Sequence, residues 1–218
     1  MALDPESRLV VSLVVGKRTA EATHELVADF RRRTGGRVMR LITSDEYPAY
    51  ADAIRSAYGR VVVPPRTGRP GRPRGPYLEL PAGLTYATVH KHKENGRVVS
   101  VSTTLVFGTW LAVFLALLAS RVSRVVNTSF VERHNGTDRG RCGRKARKSY
   151  AFSKSWDVHA AATRFSYFSY NFCWPVRTLR AKGEDGRWRQ RTPAMAAGLT
   201  DHVWPLAEWL AYPAVQRQ

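Results

Sequence analysis

The chain is poor in acid and in cysteine. Asp and Glu total 17 against 35 Lys and Arg, a formal net charge of +18. Cys142 and Cys173 form neither a metal-ligand spacing nor a disulfide framework, which excludes a zinc module and a stapled secreted domain and fits a reducing compartment. A secretory leader is missing from the start: Met1 to Pro5 has no basic and no apolar region, so the expected location is the cytoplasm. Long apolar runs are missing too. The most apolar stretch, LVFGTWLAVFLALLA at Leu105–Ala119, falls short of the roughly 18 to 20 residues of a membrane span and contains Gly108 and Thr109. It reads as a buried helix entered through a turn at Gly108-Thr109. No Walker loop, Ser/His/Asp or Cys/His arrangement or internal repeat is present.

What is there is basic charge on a chain of 218 residues, enough for one α/β domain with a sizeable core. An excess of this size points to a polyanion, because Lys and Arg neutralise phosphates and release counterions. An anionic membrane surface has the same sign. The excess is mostly arginine, whose planar fork suits bidentate phosphate contacts, so nucleic acid is the expected partner and membrane is not.

Along the chain, Asp4-Pro5-Glu6-Ser7 carries turn chemistry and Leu9–Val15 reads as a strand, giving a hairpin whose first strand is nearly absent. Thr19 caps a helix with Ala22, Leu26, Val27 and Phe30 on one stripe, Arg31, Arg32 and Arg33 in its last turn and Gly35-Gly36 beyond. Val38–Thr43 is a short buried strand, followed by Ser44-Asp45-Glu46-Tyr47-Pro48 and a helix over Ala49–Tyr58. Asp45 therefore sits at a strand's carboxyl end, where open α/β sheets place ligands; capping the following helix is its other reading.

Residues 64–76, PPRTGRPGRPRGP, form an extended basic arm with Arg66, Arg69, Arg72 and Arg74. Its Gly-Arg-Pro repeats are similar to the AT-hook, which reads narrow minor grooves; a solvated linker is the alternative. Tyr86–Lys93 and Val98–Phe107 are strands joined by an Asn95-Gly96 turn, with His90 and His92 on one face and no third ligand near. After Asn135 a glycine-broken basic run follows, with Arg144, Lys145, Arg147 and Lys148, then Lys154. Tyr150–Phe172 reads as a helix with Phe152, Trp156, His159, Ala160 and Phe168 toward its buried side. Arg177–Gln190 is a basic loop, and Pro193 opens a short helix at its first position.

The stretch the rest serves is VVNTSFVERHN, Val125–Asn135. Ser129 and Glu132 fit an S-x-x-E capping box, in which each side chain bonds the other's backbone N–H. Glu132 also has the placement of an active-site acid on a helix, flanked by Arg133 and Asn135 as phosphate-binding groups. In two-metal phosphodiester chemistry, ions about 3.5 to 4 Å apart activate the attacking hydroxyl and stabilise the leaving oxygen. Three acids serve it, two on neighbouring strands and one on a helix; Asp45 at a strand end and Glu132 near a helix start supply two of these geometries.

TSDEYPAY (Thr43–Tyr50), VNTSFVERHN (Val126–Asn135), RKSYAFSK (Arg147–Lys154), YNFCWP (Tyr170–Pro175) and RTPAMAAGL (Arg191–Leu199) resemble, in order, bacterial insertion-sequence transposases of the DDE type, as does ALDPESRLVVSLVVGKR near the start. The resemblance implies an RNase H-like (retroviral-integrase-like) α/β fold over residues 1–199 with a tail over 200–218. It implies DNA strand cleavage and transfer with two Mg²⁺ or Mn²⁺ ions, by a homo-oligomer on insertion-sequence ends and target. Asp45 matches the family's second acid and Glu132 its third, both as metal ligands. The first acid of the family lies on a strand ahead of the LDPES-type turn, and Met1 stands two residues before Leu3. An N-terminally truncated copy with little or no activity is therefore the expectation. A non-catalytic DNA-binding remnant, bound to element ends or to intact transposase, is the second reading.

Overall fold

The computed structural model describes residues 1–65, 74–146 and 150–213. Among these residues the protein is mixed α/β, with seven α-helices and several small sheets. The chain divides into two compact units, Gly16–Thr128 and, discontinuously, Met1–Val15 with Ser129–Gln218.

In the unit Gly16–Thr128, Thr19 caps α1 (Ala20–Arg33) as its sequence requires, the side chain accepting from the Ala22 N–H at 3.2 Å. Thr23, Leu26 and Val27 are the buried stripe of α1. Strand β3 (Ile42–Asp45) follows, then α2 (Ala49–Tyr58), whose bounds match the expectation residue for residue. The strand expected over Val38–Thr43 lies later in the chain. Its ladder begins where the Ile42 N–H meets the Thr85 carbonyl at 2.9 Å, and Val38 packs on the core without pairing. A small hairpin, β4 (Arg60–Val62) with β5 (Tyr77–Glu79), flanks the basic arm; Arg66, Arg69 and Arg72 lie outside the described residues, and Arg74 is exposed.

Strands β6 (Tyr86–Glu94) and β7 (Arg97–Phe107) form the long hairpin, turning at Asn95 (φ 49°) and Gly96 (φ 78°) as an Asn-Gly type I′ turn demands. The sheet order is β3-β6-β7, with β3 parallel to β6 and Asp45 opposite Val89. Val27, Ala53, Ile54, Tyr58, Leu84 and Tyr86 make the core, each large apolar side chain contributing about 1.5–3 kcal/mol by burial. Gly108 (φ 91°) closes the strand. A Cβ there would stand 2.8 Å from Thr85 Oγ1.

Helix α3 (Trp110–Ala119) is capped by Thr109, accepting from the Ala112 N–H at 3.1 Å. Its expected burial is not what the structure shows. Val113 alone is buried, while Trp110, Leu111, Phe114, Leu115 and Leu118 are each more than half exposed. An all-apolar helix reads as buried, but this core is already filled from α1, α2 and β6.

In the other unit, β1 (Ala2–Leu3) pairs antiparallel with β2 (Val10–Ser12), the predicted hairpin with its minimal first strand. Asp4 makes the turn: its carboxylate accepts from the Glu6 N–H at 3.2 Å, the Ser7 N–H at 3.1 Å and the Ser7 hydroxyl. Helix α4 (Ser129–Arg141) leads through a 3₁₀ turn at Gly143–Lys145 toward α5 (Trp156–Cys173). The latter starts later than expected, where Ser155 accepts from the Val158 N–H at 3.4 Å. Its buried stripe is Ala160, Thr163, Tyr167 and Tyr170, at helical spacing, so Phe152 and Trp156 are exposed rather than buried. The expected basic loop contains a hairpin, β8 (Ala181–Lys182) with β9 (Trp188–Arg189). Thr192 caps α6 (Pro193–Ala196), with Pro193 at its start, and α7 (Leu206–Ala211) follows.

Asn171 joins the ends of this unit. Its amide accepts from the Val10 N–H and donates to the Val10 carbonyl, both at 2.9 Å. One buried side chain thus completes the hydrogen bonds that a further strand would make with β2, across 161 positions of sequence.

Candidate nucleic-acid and metal site

Asp45 is the last residue of β3 and opens toward solvent, with 55% of its side chain exposed. The parallel strand carries it out of the sheet at the carboxyl end, and Pro48 starts α2 directly afterwards. Arg18 faces it: Nη2 donates to Asp45 Oδ2 at 2.8 Å. The same guanidinium lies 4.5 Å from the centre of the Tyr47 ring, and the Tyr47 hydroxyl donates to the Arg18 carbonyl at 3.5 Å. Beside this pair, Glu46 contacts His90 Nδ1, and the His90 and His92 rings are 4.1 Å apart. Burial, and then the Asp45 charge, push the Tyr50 hydroxyl's pKa above its ordinary value. Arg18 carries no sequence signal of this role. It lies in the basic segment ahead of α1, and only the fold returns it to Asp45.

Glu132 stands exposed in the first turn of α4, where a carboxylate favours the helix dipole. That placement serves both readings of the residue. Arg133 beside it is exposed. His134 points the other way, buried with its ring centroid 5.0 Å from Tyr167 and 4.5 Å from Tyr170. Burial lowers its pKa to about 4, so it is neutral at physiological pH, and its Nε2 has no hydrogen-bond partner among the described residues. Asn135 accepts from the Tyr167 hydroxyl at 3.1 Å. Burial, and then the neighbouring Asp138 charge, hold that hydroxyl protonated far above the usual tyrosine range.

Lys145, expected on the DNA face, is turned inward. Its side chain is 10% exposed and its ammonium meets Asp138 at 2.7 and 2.9 Å, over the Tyr167 ring. Ser166 donates to the same carboxylate at 2.7 Å. A buried Asp seven residues upstream is a partner that charge counting cannot find. Arg144 and Lys154 remain exposed, while Arg147 and Lys148 lie outside the described residues. Arg141 is also committed, its guanidinium 4.4 Å from the Trp174 ring centre.

The two acids fit hard divalent ions by donor chemistry. Both are exposed carboxylates, and Mg²⁺ takes one or two of these with water and phosphate oxygens completing its shell. At Asp45 a guanidinium already occupies the place of a cation. Among the described residues no group of three His, Cys, Asp or Glu side chains gathers to hold a metal ion. No helix there is long and apolar enough to cross a membrane. Compared with known proteins, the chain matches no family model, no curated protein and no solved structure.

Proposed function

We propose that the chain is the catalytic domain of a DDE-type transposase with an RNase H-like fold, acting in the cytoplasm as a homo-oligomer on DNA. The observation that carries this reading is Asp45, exposed at the carboxyl end of a parallel strand with a guanidinium held where a cation belongs. Asp45 and Glu132 would each offer carboxylate oxygens to a divalent ion, and such ions, when bound, would supply activation of the attacking hydroxyl and stabilisation of the leaving oxygen. Arg74, Arg133, Arg144 and Lys154 are exposed cations that bind phosphates and set the register of the strand, as such contacts do without reading sequence. Tyr167 orients Asn135 on the helix that carries Glu132.

A non-catalytic DNA-binding protein is the second reading. It rests on the exposed cations alone, since Arg74, Arg133, Arg144 and Lys154 can bind phosphates whether or not the acids hold metal. Incubation of the purified protein with supercoiled DNA and Mn²⁺ separates the two. Nicking that disappears in both Asp45→Asn and Glu132→Gln supports the catalytic reading. Nicking that survives both substitutions overturns the assignment of the acids. Salt-sensitive binding without nicking selects the second reading.

A further inference from the structure

One surface of the unit containing α5 lies outside the acid site. Arg144, Tyr150, Phe152, Lys154 and Val158 border an open concavity of about 630 Å³ beside the start of α5. Tyr150 is fully exposed, Phe152 is 54% exposed, and Trp156, the first residue of α5, is 58% exposed. Arg144 and Lys154 are exposed on the same rim, and the described residues lining the hollow include no carboxylate. Three solvent-facing rings lie within a few positions of two exposed cations. Single exposed apolar residues are ordinary, whereas a cluster of rings marks a surface that something covers.

We propose that this concavity binds an unpaired nucleic-acid strand, with bases stacked on Tyr150 and Phe152 and phosphates held by Arg144 and Lys154. The cations select a polyanion. The rings select an unpaired one, because a duplex buries the faces of its bases and offers phosphates and groove edges instead. An unstacked base presents a π-face to any aromatic side chain, and the contact tolerates every sequence. Ser155, which also lines the hollow, accepts from the Val158 N–H in capping α5, so the site recognises strand and charge rather than base identity. The site uses neither Asp45 nor Glu132.

Fluorescence anisotropy with labelled oligomers of roughly 15 nucleotides tests it. The probes are oligothymidylate, oligouridylate, an abasic strand of equal length and a duplex. Oligothymidylate or oligouridylate is expected to bind at least about tenfold tighter than the abasic strand. The stronger of the two names the physiological strand as DNA or RNA. Tyr150→Ala with Phe152→Ala is expected to abolish that preference and leave duplex binding unchanged. Arg144→Gln with Lys154→Gln should weaken all probes alike and shallow the salt slope by about 1.4 units. Tyr150→Trp keeps a ring and keeps the preference, which separates stacking from a general effect on folding. Equal binding of thymidylate and abasic strands by the unaltered protein overturns the proposal. So does a ring variant that loses duplex and single strand in parallel. Asp45→Asn leaves the preference intact, so this result stands apart from that of the nicking assay.

Discussion

Two aspartates in this protein hold a cation at nearly the same distance and do opposite work. Asp138 meets Lys145 at 2.7 Å with side chains 5% and 10% exposed, under Ser166 and against Tyr167. Asp45 meets Arg18 at 2.8 Å with side chains 55% and 63% exposed. Distance alone makes them equivalent. Solvent separates them, because the buried pair cannot exchange its partner for water without leaving a charge in a poor dielectric, and the exposed pair can. The first is architecture. The second is an exposed carboxylate that can exchange its partner, and it is there that the proposed chemistry is placed.

Breaking the buried pair has the largest expected effect. Asp138→Asn leaves the Lys145 ammonium buried and uncompensated, and is expected to cost about 3–5 kcal/mol in denaturant unfolding. Replacing both partners, Asp138→Leu with Lys145→Met, should recover most of that loss. A small effect of the single substitution would erase the distinction drawn between the pairs.

His134 sharpens the same interior, since its ring shares the Tyr167 surface. Burial lowers its pKa most; Asp138 opposes that, and Arg141, Lys145 and the N-terminal amine reinforce it. A base whose folded pKa lies below its unfolded value contributes stability above the unfolded pKa, near 6.5, and loses it progressively as pH falls toward about 4. The shift corresponds to at most about 3 kcal/mol. Unfolding of His134→Phe, followed from pH 7 to pH 4, should lack this component; a pH dependence identical to that of the unaltered chain would refute the assignment.

The exposed pair has the smallest effect on folding. Arg18→Gln should change stability by less than about 1 kcal/mol. Free of its guanidinium, Asp45 should take Mn²⁺ up to about fivefold more tightly in a titration followed by electron paramagnetic resonance, a gain that Asp45→Asn removes. Unchanged Mn²⁺ affinity in Arg18→Gln would leave this pair as ordinary surface decoration.

Much of the local fold was legible residue by residue. Thr19 and Thr192 cap the helices their spacing announces, Asn95-Gly96 turns the long hairpin, and Ala49–Tyr58 begins and ends as expected. Asp4 takes up its turn, and Asp45 reaches the end of a parallel strand. The burial of α3, the direction of Lys145 and the start of α5 were not legible. Each depends on what else arrives at that surface. Apolar composition shows that α3 can be buried, not that a core with room for it exists.

By itself, then, the order of residues determined the elements whose signals span a turn or less: caps, glycine turns, helical stripes and the basic surplus. A cap or an Asn-Gly turn is decided by dihedral preferences and hydrogen bonds within about four residues, and no distant partner alters it. Tertiary structure alone decided which charges are held and which are free. It brought Asn171 to the Val10 backbone and Arg18 to Asp45, and it shut Lys145 away with Asp138. The physical reason is that a charge's role depends on the dielectric and the partner around it, and both come from chain segments remote in sequence.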